Sequence, residues 1–266
     1  MKKILLSLMT VVLVGAATVG ATRAYFSDTE TSAGNTFEAG RLDLRIDNNS
    51  TYNGLPNPSA TFSIRDLTNE LFFNFTDVKP GDYGQDTVSL HVDDNPSWLC
   101  ANITLTEAAE NLSYEPETSD GDNTNTGSWE GELDDQLNFF FWADTDSDGS
   151  YDVGETQLMN GPASSLPQGD DNGGVTYPIV DATYNAFGPV GSPFPEGDPG
   201  RYIGKVWCHG ALTLDPAAAP GYICDGSQVN NVAQSDSVRG DVSFYAVQTR
   251  HNDQFNCSSW TPEVED

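Results

Sequence analysis

Arg41-Leu42-Asp43-Leu44-Arg45-Ile46-Asp47 alternates polar and apolar side chains without a break. Successive side chains of a strand point to opposite faces, so Leu42, Leu44 and Ile46 share one face and four charged residues share the other. The same period returns along the chain at Leu71, Phe73 and Phe75, at Val88, Leu90 and Val92, and at Ala101, Ile103 and Leu105. It returns again at Val242, Phe244 and Ala246, with Tyr245 and Val247 on the opposite face. Leu137-Asn-Phe-Phe-Phe-Trp142 is apolar on both faces, which predicts a central strand, and Tyr202 to Leu214 adds further strand. Lys79-Pro80-Gly81-Asp82 has the Pro and Gly of a type II turn. No window carries a long stripe of period 3.6, so helix is confined to short candidates at 65–71 and 106–113. Many short strands separated by Gly, Pro, Asn and Asp turns predict an all-β sandwich or barrel. Residues from about 108 to 135 and from 160 to 200 are read as loop insertions in a single domain spanning 38–266.

Charge narrows the partners. The 266 residues hold 11 Lys+Arg against 40 Asp+Glu, a net charge of −29. Phosphate binding needs a basic surface, so no nucleic-acid partner is expected. Asp outnumbers Glu 27 to 13; Asp favours turns and ligates hard cations, which places much of the acid in loops.

The first 24 residues read as a targeting segment. Lys2 and Lys3 precede an uncharged apolar run from Ile4 to about Ala21, and Thr22-Arg23-Ala24 sets small residues at −3 and −1 of a cut after Ala24. This predicts a secretory signal peptide; the competing reading is a retained membrane anchor, since the run is near the lower length of a span. Cleavage would leave 8 basic and 40 acidic residues, a charge of −32. The expected membrane contact is through the signal before cleavage, and the expected location is extracellular, on the cell surface or in a matrix.

Four cysteines fit an oxidising compartment: Cys100, Cys208, Cys224 and Cys257. None lies in a CxxC pair. Three pairings can be drawn; the preferred one closes Cys208–Cys224 around a Pro/Gly/Asp-containing loop and joins distant strands through Cys100–Cys257.

The most specific chemical motif is Asp144-Thr-Asp-Ser-Asp-Gly-Ser-Tyr-Asp-Val-Gly-Glu155. Counted from Asp144, side-chain oxygens fall at positions 1, 3, 5, 9 and 12: Asp144, Asp146, Asp148, Asp152 and Glu155. Gly149 stands at position 6, where the loop turns sharply. Ser150 at position 7 would offer its backbone carbonyl, and Tyr151 at position 8 would pack inward. This is the spacing of a twelve-residue Ca²⁺ loop. A strand, not a helix, precedes it, so the expectation is a structural Ca²⁺ site on a β scaffold. The other acidic stretches (Asp120/Asp122, Asp134/Asp135, Asp170/Asp171) lack this spacing and are read as solvated faces.

Catalytic signatures are weak. His91, His209 and His251 form no HExxH, and there is no GxSxG, P-loop or GxGxxG after a strand. No catalytic residues are expected. Trp98, Trp142 and Trp207 are read as core or sheet-face residues, not as a sugar platform.

A resemblance enters at the N-terminal end. Ala24-Tyr25-Phe26-Ser27-Asp28-Thr29-Glu30 leads through Asn35-Thr36-Phe37 to Ala39-Gly40-Arg41-Leu42-Asp43-Leu44, followed later by Lys79-Pro80-Gly81-Asp82 and Val242-Ser-Phe-Tyr-Ala-Val-Gln248. Together these resemble the TasA/camelysin family of exported proteins; residues 100–235 add nothing to the likeness. The resemblance implies a jelly-roll-like antiparallel β-sandwich, here with long acidic loops. It implies an extracellular filament or biofilm-matrix subunit whose mature N-terminal segment, residues 25–37, pairs into a neighbour's sheet. Tyr25, Phe26 and Phe37 are the candidate pocket fillers of that donor segment. The implied partners are further copies of the chain and a minor anchoring subunit. Some members carry a metallopeptidase label, but this chain lacks a zinc-peptidase motif, and its cysteines and Ca²⁺-type loop depart from the TasA pattern. A monomeric Ca²⁺-binding surface module and a secreted metallopeptidase are the alternative functions.

Overall fold

The computed structural model describes residues 42–122, 126–168, 174–197 and 200–260. The segment read as a signal peptide and the candidate donor residues Tyr25, Phe26 and Phe37 lie outside them, as do Asp170 and Asp171. Residues 40–266 cluster as one compact unit.

Twelve strands are present among the described residues: β1 (Asp43–Tyr52), β2 (Leu55–Pro56), β3 (Phe62–Arg65), β4 (Tyr83–Asp93), β5 (Ser97–Ala109), β6 (Leu137–Asp144), β7 (Thr156–Pro162), β8 (Val175–Val180), β9 (Arg201–His209), β10 (Ala211–Leu214), β11 (Tyr222–Asp225) and β12 (Ser237–Gln248). Two one-turn helices, α1 (Glu117–Asp120) and α2 (Leu133–Gln136), lie between β5 and β6. The larger sheet runs β2-β1-β4-β9-β6-β7, with β3 also on β1. The smaller runs β12-β5-β8, and β10 and β11 form a separate hairpin. Every ladder between these strands is antiparallel. The result is an open, all-β sandwich.

The alternation read from the sequence decides the core. Ile46, Val88, Leu90 and Ile203 of the larger sheet face Leu99, Ala101 and Ile179 of the smaller one. β6 is central, between β9 and β7, and its two apolar faces have different partners. Phe139 and Phe141 pack between the sheets. Phe140 and Trp142 point to the other face, where Tyr151, Val206 and Tyr222 cover them. Trp98, Trp142 and Trp207 are all buried. Trp142 lies opposite Gly204 on β9, where an added Cβ would sit 2.0 Å from the indole. Trp207 lies opposite Gly84 in the same way, at 2.2 Å. The glycines are needed there for close approach of a large ring.

The predicted turn at 79–82 has Gly81 at φ +86°, and the Asp82 N–H donates to the Lys79 carbonyl at 2.9 Å. Both features belong to a type II turn. The disulfides join Cys100 to Cys257 and Cys208 to Cys224, the preferred pairing. The first holds the C-terminal segment across the outer face of the smaller sheet, where Trp98 Nε1 donates to the Asn252 carbonyl at 2.7 Å. The second fastens β9 to the β10–β11 hairpin.

Three expectations are corrected. Leu71, Phe73 and Phe75 do not form a strand. Each ring near them has its own aromatic partner instead: Phe72 packs on Phe62, Phe73 on Phe139, and Phe75 on Trp207. Segments 65–71 and 106–113 hold no helix; β5 continues to Ala109, and the Glu70 carboxylate accepts from the N–H groups of Thr68 and Asn69. The 160–200 stretch is more than a loop. It supplies β8, an edge strand, and the buried Phe194. Pro178 inside β8 obscured the strand in the sequence, and an edge position is where a strand tolerates a residue without an N–H.

Candidate metal site on the acidic loop

The Asp144–Glu155 segment is the connection between β6 and β7, and packing fixes both its ends. Tyr151 inserts edge-on against Phe140 with ring centroids 4.7 Å apart, and its N–H donates to the Pro220 carbonyl at 2.9 Å. Gln157 Nε2 donates to the Tyr151 hydroxyl at 2.8 Å. Gln85 on β4 donates to the Gly149 carbonyl and accepts from the Tyr222 hydroxyl. The loop therefore rests on the outer face of the larger sheet beside the disulfide-held hairpin. Gly149 has φ +78°, the left-handed conformation expected at the sharp turn.

The carboxylates converge. Oxygens of Asp144, Asp146 and Glu155 lie within 4.8 Å of one another, as do those of Asp146, Asp148 and Asp152. Asp146 belongs to both groups, so the five side chains predicted as ligands are brought together. Asp144, at the end of β6, is buried and accepts from the N–H groups of Ser147 at 2.7 Å and Gly149 at 3.0 Å. Glu155 accepts from Thr145 N–H at 2.6 Å and Asp152 N–H at 3.0 Å, closing the loop from its other end. Burial pushes the Asp144 and Glu155 carboxyls above the ordinary range, against the pull of these N–H donors, and neighbouring carboxylates add to the rise. A cation would reverse that penalty by favouring the charged forms. Ser150 differs from expectation: its carbonyl accepts from Trp142 Nε1 at 2.9 Å, which leaves one lone pair for any cation.

The reading of the other acids as solvated holds for Asp120 and Asp135, which are exposed, and fails for Asp122 and Asp134, which are buried. Their burial comes from contacts distant in sequence, which local spacing does not encode.

His91 and His209 do not meet. They lie just beyond opposite ends of the β4–β9 ladder, whose terminal pairs are Tyr83–Cys208 and Leu90–Arg201. At about 3.3 Å per residue, roughly 25–30 Å of strand separates them. Among the described residues, no histidine joins a group of metal-binding dimensions.

A family profile described as camelysin metallo-endopeptidase matches residues 1–158, more than half of the chain. The chain belongs to the camelysin family. The match spans the whole Asp144–Glu155 loop and stops before three of the four cysteines of this camelysin-family protein. No curated protein matches the chain. Its two disulfides and its family point to an extracellular or surface protein, and among the described residues no helix is long and apolar enough to cross a membrane.

Proposed function

We propose that this protein is an exported structural subunit of an extracellular filament, assembled by pairing residues 25–37 of one copy into the sheet of the next and stabilised by Ca²⁺ on the 144–155 loop. The reading is of a structural subunit, not an enzyme, although the family carries an endopeptidase name.

The observation that carries it is an open seam in the sandwich. Among the described residues, the twelve-residue strand β12 has a strand on one side only. Beside it runs a groove of about 360 Å³ whose lining is mainly apolar, with Leu42, Leu44, Leu67 and Phe244, and includes Asp66 and Tyr245. An incoming strand would gain a ladder of main-chain hydrogen bonds from β12 and place alternate side chains in the groove. Tyr25, Phe26 and Phe37 are the side chains of the donor segment suited to it. Thirteen extended residues reach about 43–47 Å, enough to leave the parent sandwich. The high acidic charge opposes close packing of copies, so Ca²⁺ or high salt favours assembly by screening it.

Negative-stain microscopy of chains starting at Tyr25 and at Gly34, with Ca²⁺ and high salt, tests the donor. Fibres are expected only from the longer chain. The same fibres from both, or none from either, would refute it, the latter outcome favouring a monomeric module.

Calcium binding by the loop is checked by calorimetry on the wild type and an Asp144→Ala/Asp148→Ala variant. The wild type is expected to show the larger heat and a melting temperature that climbs with Ca²⁺, by about 2.7 kcal/mol of stabilisation at 100 times Kd. Equal heats from the two proteins would rule the loop out.

A further inference from the structure

We propose that a second set of carboxylates, Glu110, Glu117, Asp122, Glu132 and Asp236, forms a buried calcium site separate from the 144–155 loop. Four of them come from the insertion after β5 and the fifth immediately precedes β12. Glu110 follows the last residue of β5, Glu117 opens α1, Asp122 lies just past its end, and Glu132 precedes α2. Backbone pairing folds the insertion back: Glu110 and Gly127 exchange N–H···O bonds of 2.9 and 3.0 Å, and Gly131 N–H donates to the Ala108 carbonyl at 3.0 Å.

The oxygens form two triads that share Glu110. Those of Glu110, Asp122 and Glu132 lie within 4.8 Å of one another, and so do those of Glu110, Glu117 and Asp236. Glu110 is only 2 % exposed, and neither of its carboxylate oxygens has a hydrogen-bond donor. Glu132 Oε2 and Asp236 Oδ1 are also buried without a donor. Asp236 Oδ2 and both oxygens of Glu117 are held from outside. Asp236 Oδ2 accepts from the N–H groups of Glu132 at 2.7 Å and Leu133 at 3.2 Å. Glu117 accepts from Tyr114 N–H at 2.6 Å and the Ser235 hydroxyl at 3.4 Å. Donors thus fix Asp236 and Glu117, while the unsatisfied oxygens of Glu110 lie in the residue common to both triads.

Among the described residues, no Lys, Arg or His forms an ion pair with Glu110, Glu117, Glu132 or Asp236. A buried carboxylate without a donor or counter-charge is strongly unfavourable; it takes a proton or a cation. With no cation, burial and then Asp236 push Glu110 up to about 8. Burial, Asp122 and Asp236 push Glu132 up to about 7. Hard carboxylate oxygens in this number suit Ca²⁺, which accepts 6–8 oxygens in flexible geometry. Mg²⁺ demands a regular octahedron and keeps several waters, which a buried cluster does not readily supply. The ion would tie the insertion to the ends of β5 and β12.

The test uses the full-length protein, CaCl₂ as probe, and two variants: Glu110→Gln here and Asp144→Asn/Asp148→Asn on the loop. Equilibrium dialysis is expected to show Glu110→Gln losing bound calcium that the loop variant retains. Hydrogen exchange of peptides covering 110–135 should slow by about 100-fold at a Ca²⁺ concentration about 100 times Kd in the wild type and in the loop variant, and stay unchanged in Glu110→Gln. Should Glu110→Gln fail to fold, exchange in the wild type and loop variant decides. Equal calcium bound by wild type and Glu110→Gln, or no calcium-dependent protection of 110–135, would overturn the site without touching the filament proposal.

Discussion

Replacing Lys205 by Met is expected to destabilise the fold by about 3–5 kcal/mol. Lys205 is 1 % exposed and its cross-strand neighbour Asp86 is 0 % exposed. The ammonium lies 2.9 Å from Asp86 Oδ2, donates to the Phe72 carbonyl at 3.2 Å, and sits 3.6 Å from the centre of the Phe73 ring. Asn48 Nδ2 donates to the other Asp86 oxygen at 3.0 Å. Burial lowers the lysine pKa and Asp86 pulls it back up. Removing the lysine leaves the Asp86 carboxyl buried and without its counter-charge, which is worse than the loss of the pair itself. The double variant Lys205→Met/Asp86→Leu is therefore expected to recover most of the loss. Urea unfolding of the three proteins measures it. A double variant no more stable than the single would mean that side-chain shape, not charge, sets the cost.

Removing the Cys100–Cys257 bridge by double Ser substitution carries the other large effect. It closes a loop of 157 residues, against 16 for Cys208–Cys224. Loop-closure entropy then predicts a loss of about 5 kcal/mol for the first and about 3 kcal/mol for the second. Denaturant titration of each variant checks the order, and an equal or reversed order would discount the entropic account. Titration of unreduced, unfolded protein is expected to find no free thiol.

The two clusters differ in how far the sequence revealed them. Five carboxylates of the acidic loop sit within twelve residues, so their spacing alone carried the geometry. The strands β1, β4 and β6 were legible because one or both faces are buried in a regular period, and β12 because Val242, Phe244 and Ala246 pack, partly buried, against the core. Asp86 and Lys205 also left a trace: Asp86 shares the phase of Val88, Leu90 and Val92, and Lys205 that of Ile203 and Trp207. Polar residues in an apolar phase mark a buried pair, but only the β4–β9 register identifies the partners. Glu110 and Asp236 left no trace. They are 126 positions apart, and the pairing of β5 with β12 brings their strand ends together. Leu71, Phe73 and Phe75 misled in the opposite direction, because the alternation there reflects separate ring contacts, Phe73 on Phe139 and Phe75 on Trp207, and not a ladder.

The Cys100–Cys257 bond also decides how the protein bears tension. A pull applied at Leu42 and Trp260 passes along β1, β2, β3, β4 and the first residues of β5, crosses the sulfur bridge, and leaves through three more residues. The 156 residues between the cysteines, whose sequence separation is 157, lie off that line. At roughly 3.3–3.6 Å each they would otherwise release about 520–560 Å of slack. Both carboxylate clusters and the β10–β11 hairpin sit inside this covalent bypass. Stretching can therefore unravel the front of the larger sheet while leaving the ends of the bypassed segment joined.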